Sequence, residues 1–158
     1  EAGYSAYHIA RGLKANGKGR LDCYDLWEQY DAAQIYGFYS IPKSTAEKNL
    51  QPYSDIISLS LNNAIGIDKN YAAVDILHVD LHNDGEILSR IVPTWIDKVR
   101  QLVVIEGGST ERDQVEWMIK FNKAPIKPWL EDFSRRSDIE YFTLEPFPSV
   151  TLIRKPPK

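Results

Sequence analysis

The sequence predicts a doubly wound α/β fold with a mostly parallel sheet and a C-terminal antiparallel hairpin, on three observations. Val74-Asp75-Ile76-Leu77-His78-Val79-Asp80-Leu81-His82-Asn83-Asp84 is a short, mostly apolar run, a strand over 75–80, that ends abruptly in two acids and a histidine. A buried parallel strand reads this way when its carboxyl end opens into the crevice where open α/β sheets bind ligands. Gln101-Leu102-Val103-Val104-Ile105 repeats the pattern and ends in Glu106-Gly107-Gly108-Ser109. Between the two runs, Ile87, Leu88, Ile91, Trp95 and Ile96 recur at helical spacing. Finally, apolar runs over 141–144 and 150–153 are joined by Glu145-Pro146-Phe147-Pro148-Ser149 alone. That connection is too short for a crossover, so the two strands must be antiparallel. Chemistry is expected at the polar strand tips.

The remaining elements follow in order. Residues 5–16 read as a helix with Ser5 as N-cap, an apolar face of Ala6, Ile9, Ala10 and Leu13, and Asn16-Gly17 as the stop. Leu21-Asp22-Cys23-Tyr24-Asp25 is a strand ending on an acid. Aromatic residues crowd the next stretch (Trp27, Tyr30, Tyr36, Phe38, Tyr39) up to Pro42, and a helix is expected over 44–50. Such clusters serve as core or interface more often than as cover for a ligand ring. A strand over 55–61 ends in the polar tip Asn62-Asn63. Pro93 should kink or split the helix over 85–99, because it removes a backbone donor. A helix over 112–121 should turn Val115, Met118 and Ile119 inward, with Glu111, Arg112 and Asp113 at its exposed start. Pro125 and Pro128 read as a loop and Trp129-Leu130 as a short turn.

Composition excludes several function classes. At 158 residues and 43% hydrophobic content the chain is one ordinary domain, 1–158, with enough apolar mass for a core. Nineteen basic residues nearly balance 22 acidic ones, with no basic stripe for nucleic acid and no apolar run long enough to span a membrane. The single cysteine, Cys23, has no partner for an internal disulfide and reads as a buried, inert thiol. The cytoplasm is the expected location. A start at Glu1 rather than methionine leads us to expect a processed or N-terminally truncated chain. A homo-oligomer, or further domains of a longer parent chain, stay open as partners.

Gly3-Tyr4-Ser5-Ala6 before a helix resembles the end of the glycine-rich first loop of class I S-adenosylmethionine-dependent methyltransferases, in the catechol and macrolide O-methyltransferase-like branch. Gly17-Lys18-Gly19 and the strand ending at Asp25 are similar to that family's second strand. Val79-Asp80-Leu81-His82 resembles its fourth-strand motif, and residues 147–155 its closing hairpin. The resemblance implies a Rossmann-like sheet lacking its first strand, since only Glu1 and Ala2 precede Gly3. It implies S-adenosylmethionine as cofactor, a small-molecule hydroxyl on a sugar or natural product as acceptor, and O-methylation as the reaction. Leu81 stands where the family has glycine, and Glu106-Gly107 where metal-dependent relatives carry two ligands.

On that resemblance, Gly3, Tyr4 and Ser5 would meet the amino-acid end of the cofactor through backbone amides, Asp25 the ribose diol and Asn62 the adenine. Asp80 would sit near the sulfonium, orient a base or hold a metal. His82 is the candidate base, because its ordinary pKa lies near neutrality. The bland alternative is that Asp80 and His82 merely cap the following helix. At most a weak magnesium site is expected, on Asp80 and Glu106. His78 and His82 would lie roughly 13 Å apart along a strand, too far to share an ion; His78 reads as a satisfied core histidine and His8 as a helix-surface residue. Two other readings stay open: a nicotinamide-dependent oxidoreductase, weakened by the lack of a full Gly-x-Gly-x-x-Gly, and a binding or assembly module of the same fold without catalysis.

Overall fold

The computed structural model describes residues 2–29, 41–146 and 148–156. They form two compact units, Glu1–Ala64 and Ile65–Lys158. Tyr30, Tyr36, Phe38, Tyr39 and Phe147, named above, lie outside the described residues.

In the first unit α1 (Tyr4–Ala15) leads to β1 (Leu21–Asp25), followed by α2 (Lys43–Leu50) and β2 (Ile57–Leu61). β1 and β2 pair in parallel, from Leu21 opposite Ile57 to Asp25 opposite Leu61, so both carboxyl ends face one edge. Helix α1 begins one residue earlier than expected. Its N-cap is Gly3, left-handed at φ 87°, and no side chain caps it. Ser5 therefore lies inside the first turn, beyond reach of a capping role. The stop at Asn16 is as expected, its N–H donating to the Gly12 carbonyl. Ala10 is buried, while Ile9 faces outward. Cys23 is half-buried, and desolvation followed by the charge of Asp22 pushes its thiol up to about 11, which leaves it protonated and unreactive.

The second unit holds β3 (Val74–Val79), α3 (Gly85–Trp95), β4 (Val99–Glu106), α4 (Glu116–Lys120), α5 (Ile126–Ser134), β5 (Glu140–Leu144) and β6 (Val150–Arg154). Its sheet has the order β3-β4-β6-β5. β3 and β4 are parallel, and β6 runs antiparallel to β4 and to β5, so the hairpin is as expected. One sheet face is the core. Val79, Val103, Ile105 and Ile153 on the strands are buried with Leu88, Ile91, Val92 and Trp95 of α3 and Ile126, Trp129, Leu130 and Phe133 of α5. Each such side chain contributes about 1.5–3 kcal/mol when fully withdrawn from water. That burial is what holds the strand tips in register.

Three local expectations are corrected. Pro93 does not split α3, which runs to Trp95. The proline forfeits the bond its own N–H would make to the carbonyl four residues back, and the helix ends two residues beyond it, short of the expected 99. The expected helix over 112–121 is two pieces, a 3₁₀ turn over Thr110–Gln114 and the short α4, because Val115 is extended (φ −71°, ψ 136°). Met118 is buried, but Ile119 is 64% exposed. The stretch read as loop and turn is helix α5, with Pro125 as N-cap and Pro128 in the first turn, where a missing N–H costs nothing. Asp113 supplies what a capping side chain would: its carboxylate accepts from Ile126 N–H at 2.6 Å and Lys127 N–H at 3.0 Å.

Candidate functional site

In the first unit, the parallel pairing sets Asp25 and Asn62 on adjacent strand tips. Asn62 N–H donates to the Asp25 carbonyl at 3.1 Å. The Asp25 carboxylate is oriented by the chain that follows it, Oδ1 accepting from Trp27 N–H at 3.0 Å. Trp27 is buried and anchors that turn. Asn62 is exposed, and its side-chain oxygen accepts from Asn63 N–H at 2.8 Å, the geometry of a turn asparagine. Gly3 is pressed against α2, where an added Cβ would lie 2.8 Å from Leu50 Cδ1. Together with its positive φ this admits no larger residue without strain. Tyr4 is 78% exposed and Ser5 half-buried at the amino end of α1, whose first-turn amides have no intrahelical acceptor.

In the second unit, the register of Val79 opposite Ile105 brings Asp80 and Glu106 to neighbouring positions at the carboxyl edge. The loop between Asp80 and α3 is tied down by a residue the sequence reading passed over. Asn83 is fully buried, and its amide nitrogen donates to the carbonyls of Val79 at 3.0 Å and Glu106 at 2.7 Å. One side chain thus fastens the last residue of β3 to the last residue of β4. Its Oδ1 is buried without a hydrogen-bond partner. The helix cap is Asp84, which accepts from Ile87 N–H at 2.8 Å. Asp80 and His82 do not cap α3.

Electrostatics separate the two candidate residues. Asp80 is exposed, yet the protein around its carboxyl and the neighbouring charge of Glu106 raise its pKa, against the opposing influence of His78 and Arg112. Desolvation, then the positive charges of Lys123 and Arg112, lower the pKa of half-buried His82, with Asp84 acting the other way. A carboxyl and an imidazole two residues apart, each shifted by burial and neighbouring charge, mark this strand tip as a candidate site. The raised pKa of Asp80 means that the native state binds its proton more tightly than the unfolded chain does. Asp80 therefore detracts from stability above its folded pKa, and the penalty fades as the pH falls through that value toward the ordinary carboxylate range. Asp80→Asn is expected to raise stability at pH 7 by at most about 1 kcal/mol, discounted because the group meets solvent. Chemical denaturation at pH 7 and pH 4 checks this, the gain being present at the first and smaller at the second.

Three further residues meet here. His78 is half-buried rather than a core residue, its Nε2 2.8 Å from Glu106 Oε1. Strand alternation puts His78 on the sheet face opposite to Val79, the face that also carries Glu106. Arg112 stacks on Trp117, its guanidinium carbon 4.9 Å from the ring centre. Gly107 (φ 61°) lies directly beneath it: a Cβ there would fall 2.0 Å from Arg112 Nη1. The ligand set expected for magnesium is therefore poor, since Glu106 is engaged by His78 and the next position carries a guanidinium. Among the described residues no group of three or more His, Cys, Asp or Glu side chains is arranged to hold a metal. None of their helices is long and apolar enough to cross a membrane.

A family model described as a methyltransferase domain matches residues 1–109. No curated protein matches the chain in sequence. Among solved structures, a Podospora anserina methyltransferase with bound S-adenosylhomocysteine is similar at TM-score 0.62 and 15% identity, over 95% of this chain and 77% of that one. An rRNA methylase from Streptococcus thermophilus is similar at 0.60 and 13%, over 98% and 81%. An O-methyltransferase family protein from Burkholderia thailandensis is similar at 0.55 and 12%, over 97% and 55%. At these identities the likeness is one of fold, and it matches the parallel strands and closing hairpin described above.

Proposed function

The chain belongs to the methyltransferase-domain family, and on that premise we propose that it transfers a methyl group from S-adenosylmethionine to a hydroxyl of a small molecule. The observation that carries the chemistry is the carboxyl edge of β3 and β4. There Asp80, of raised pKa, and His82, of lowered pKa, are left out of the helix cap by Asp84. A small acceptor is preferred over RNA because a net charge of −3 without a basic stripe offers little to a phosphate backbone.

When bound, the cofactor supplies an electrophilic methyl group on a sulfonium. His82, neutral at pH 7, accepts the proton of the acceptor hydroxyl. A hydroxyl relieved of its proton beside the bound cofactor would be placed for in-line attack on that methyl group, a displacement that positioning accelerates. Asp80 would offer negative charge to the sulfonium. Within the first unit, Asp25, its carboxylate oriented by Trp27 N–H, would accept from the ribose hydroxyls, and the first-turn amides after Gly3 would suit the carboxylate end of the cofactor.

The test is calorimetry with S-adenosylhomocysteine. The unaltered chain should bind it, and Asp25→Ala should weaken binding by about 1.5–3 kcal/mol, the worth of a charge-assisted contact, without a matching fall in melting temperature. No binding by the unaltered chain would turn the reading toward a methyltransferase-fold binding module. Unchanged affinity in Asp25→Ala would remove that residue from the site.

A further inference from the structure

We propose that the cleft between α5 and the edge strand β5 is a binding site for a sugar ring, a neutral ligand that carries hydroxyl donors around an apolar face. The site lies wholly within the second unit and does not depend on the methyl-transfer reading.

Sheet geometry opens the cleft. Tyr141 and Thr143 pair with Ile153 and Thr151 of β6, so they stand on the face of the sheet that carries the core. The cover that leaves Ile153 only 1% exposed stops short of the edge strand, where Tyr141 is 43% exposed. Lys127, Leu130, Glu131 and Ser134, spaced as one stripe of α5, line the cleft from the helix, and Ser109 lines it from the loop after β4. The space measures about 480 Å³, within the range of small-ligand sites. Its walls are rich in acceptors. Thr151 spends its hydroxyl proton on the Gly108 carbonyl at 2.8 Å, so Thr143 is the donor in the 2.9 Å contact between the two threonines, and its oxygen keeps acceptor capacity. Ser134 Oγ likewise donates to the Glu131 carbonyl at 2.7 Å. The carboxylates of Glu131 and Glu145 add further acceptors. A ligand that satisfies such walls must bring donors. Lys127 Nζ, 3.9 Å from Glu131, already supplies positive charge, which favours hydroxyls over a second ammonium. Tyr141 offers a ring on which the C–H face of a sugar can lie. The independent sign of a ligand is Ser109. It is 1% exposed and lines the cleft, and its Oγ has no hydrogen-bond partner, whereas buried hydroxyls are ordinarily paired. A sugar hydroxyl could serve it as donor or acceptor.

The probes are the methyl α-pyranosides of glucose, mannose and galactose, titrated against amide NMR chemical shifts of the chain. Glycerol serves as a polyol without a ring face and benzylamine as a cation. At least one glycoside should shift the amides of Ser109, Tyr141 and Thr143 saturably, while glycerol and benzylamine should not. Tyr141→Ala should weaken that binding by about tenfold or more, and Tyr141→Phe should largely keep it, because the ring face carries the contact. Ser109→Ala should weaken it by about threefold to tenfold. That change removes an unpaired buried hydroxyl, so the melting temperature should not fall with the affinity. Thermal melts of all variants confirm that each is folded. No saturable shift with any of the glycosides, an equal response to glycerol or benzylamine, or glycoside affinity that survives both alanine changes would overturn the inference. The glycoside response is expected with or without S-adenosylhomocysteine, so a chain that never binds the latter would lose the methyltransferase reading and keep this site.

Discussion

His82→Ala is expected to lower methyl-transfer turnover by about 10²–10⁴-fold, the usual contribution of a positioned base, with melting temperature and cofactor affinity nearly unchanged. His82 sits on the loop after β3, which Asn83 ties to the strand ends and where Asp84 caps the following helix. The lowered pKa makes the prediction pH-specific. Burial, Lys123 and Arg112 favour the neutral ring, so activity should hold at pH 7 and fall only as the pH drops through a value below the ordinary histidine range. The same shift has a stability consequence. Because the unfolded chain binds the proton more tightly, stability attributable to His82 is complete above the ordinary pKa and is lost as the pH falls from there through the folded value. A pH–rate profile of the unaltered chain beside that of His82→Ala measures both points. Normal activity per folded molecule in the variant would show that the proton leaves by another route.

Asn83→Ala should produce the largest loss of stability at the site. The substitution leaves the carbonyls of Val79 and Glu106 without the donor that joins them, in a place where Asn83 is fully buried. An abandoned buried acceptor costs about 1–3 kcal/mol, so two cost about 2–6 kcal/mol. Relief of the unpartnered Oδ1 offsets part of this. The comparison is Asp84→Ala, which loses a helix cap worth about 1 kcal/mol. Asn83→Asp should be worse than alanine above the carboxylate pKa, since it turns an oxygen toward two carbonyl oxygens. Urea denaturation of the three variants ranks them, and an Asn83→Ala chain no less stable than Asp84→Ala would show that the strand ends are held by the sheet alone.

The strands and most helices were legible because their physics is local. The runs ending at Asp80 and at Glu106 are short, mostly apolar and bounded by polar tips, which marks them as strands, but the burial expected of the first is not met: only Val79 of β3 is buried and Ile76 is 57% exposed. Leu88, Ile91 and Trp95 mark α3 by spacing alone. Helix α5 was missed because two prolines were read as breakers. Their tolerance depends on standing in the first turn, and that turn is completed by Asp113, thirteen residues before Ile126 and outside any local window. The helix expected over 112–121 failed for the related reason that Asp113 and Arg112 are drawn into tertiary contacts with α5 and Gly107.

For the site the division is similar. Asp25, Asp80, His82 and Glu106 are visible in the sequence as polar residues closing apolar runs, and their sheet-edge positions follow from strand physics. The partners are set by register, which a linear pattern does not contain. His78 meets Glu106 across 28 residues, Asn83 joins two strand ends, and Arg112 fills the space over Gly107. By itself the sequence determined the fold class, the strand tips and which acids stand on them, because burial periodicity is written residue by residue. Only the tertiary structure decided which residues hold the loop and which strand ends they join, because hydrogen bonding and charge act across distances that the folded chain alone sets.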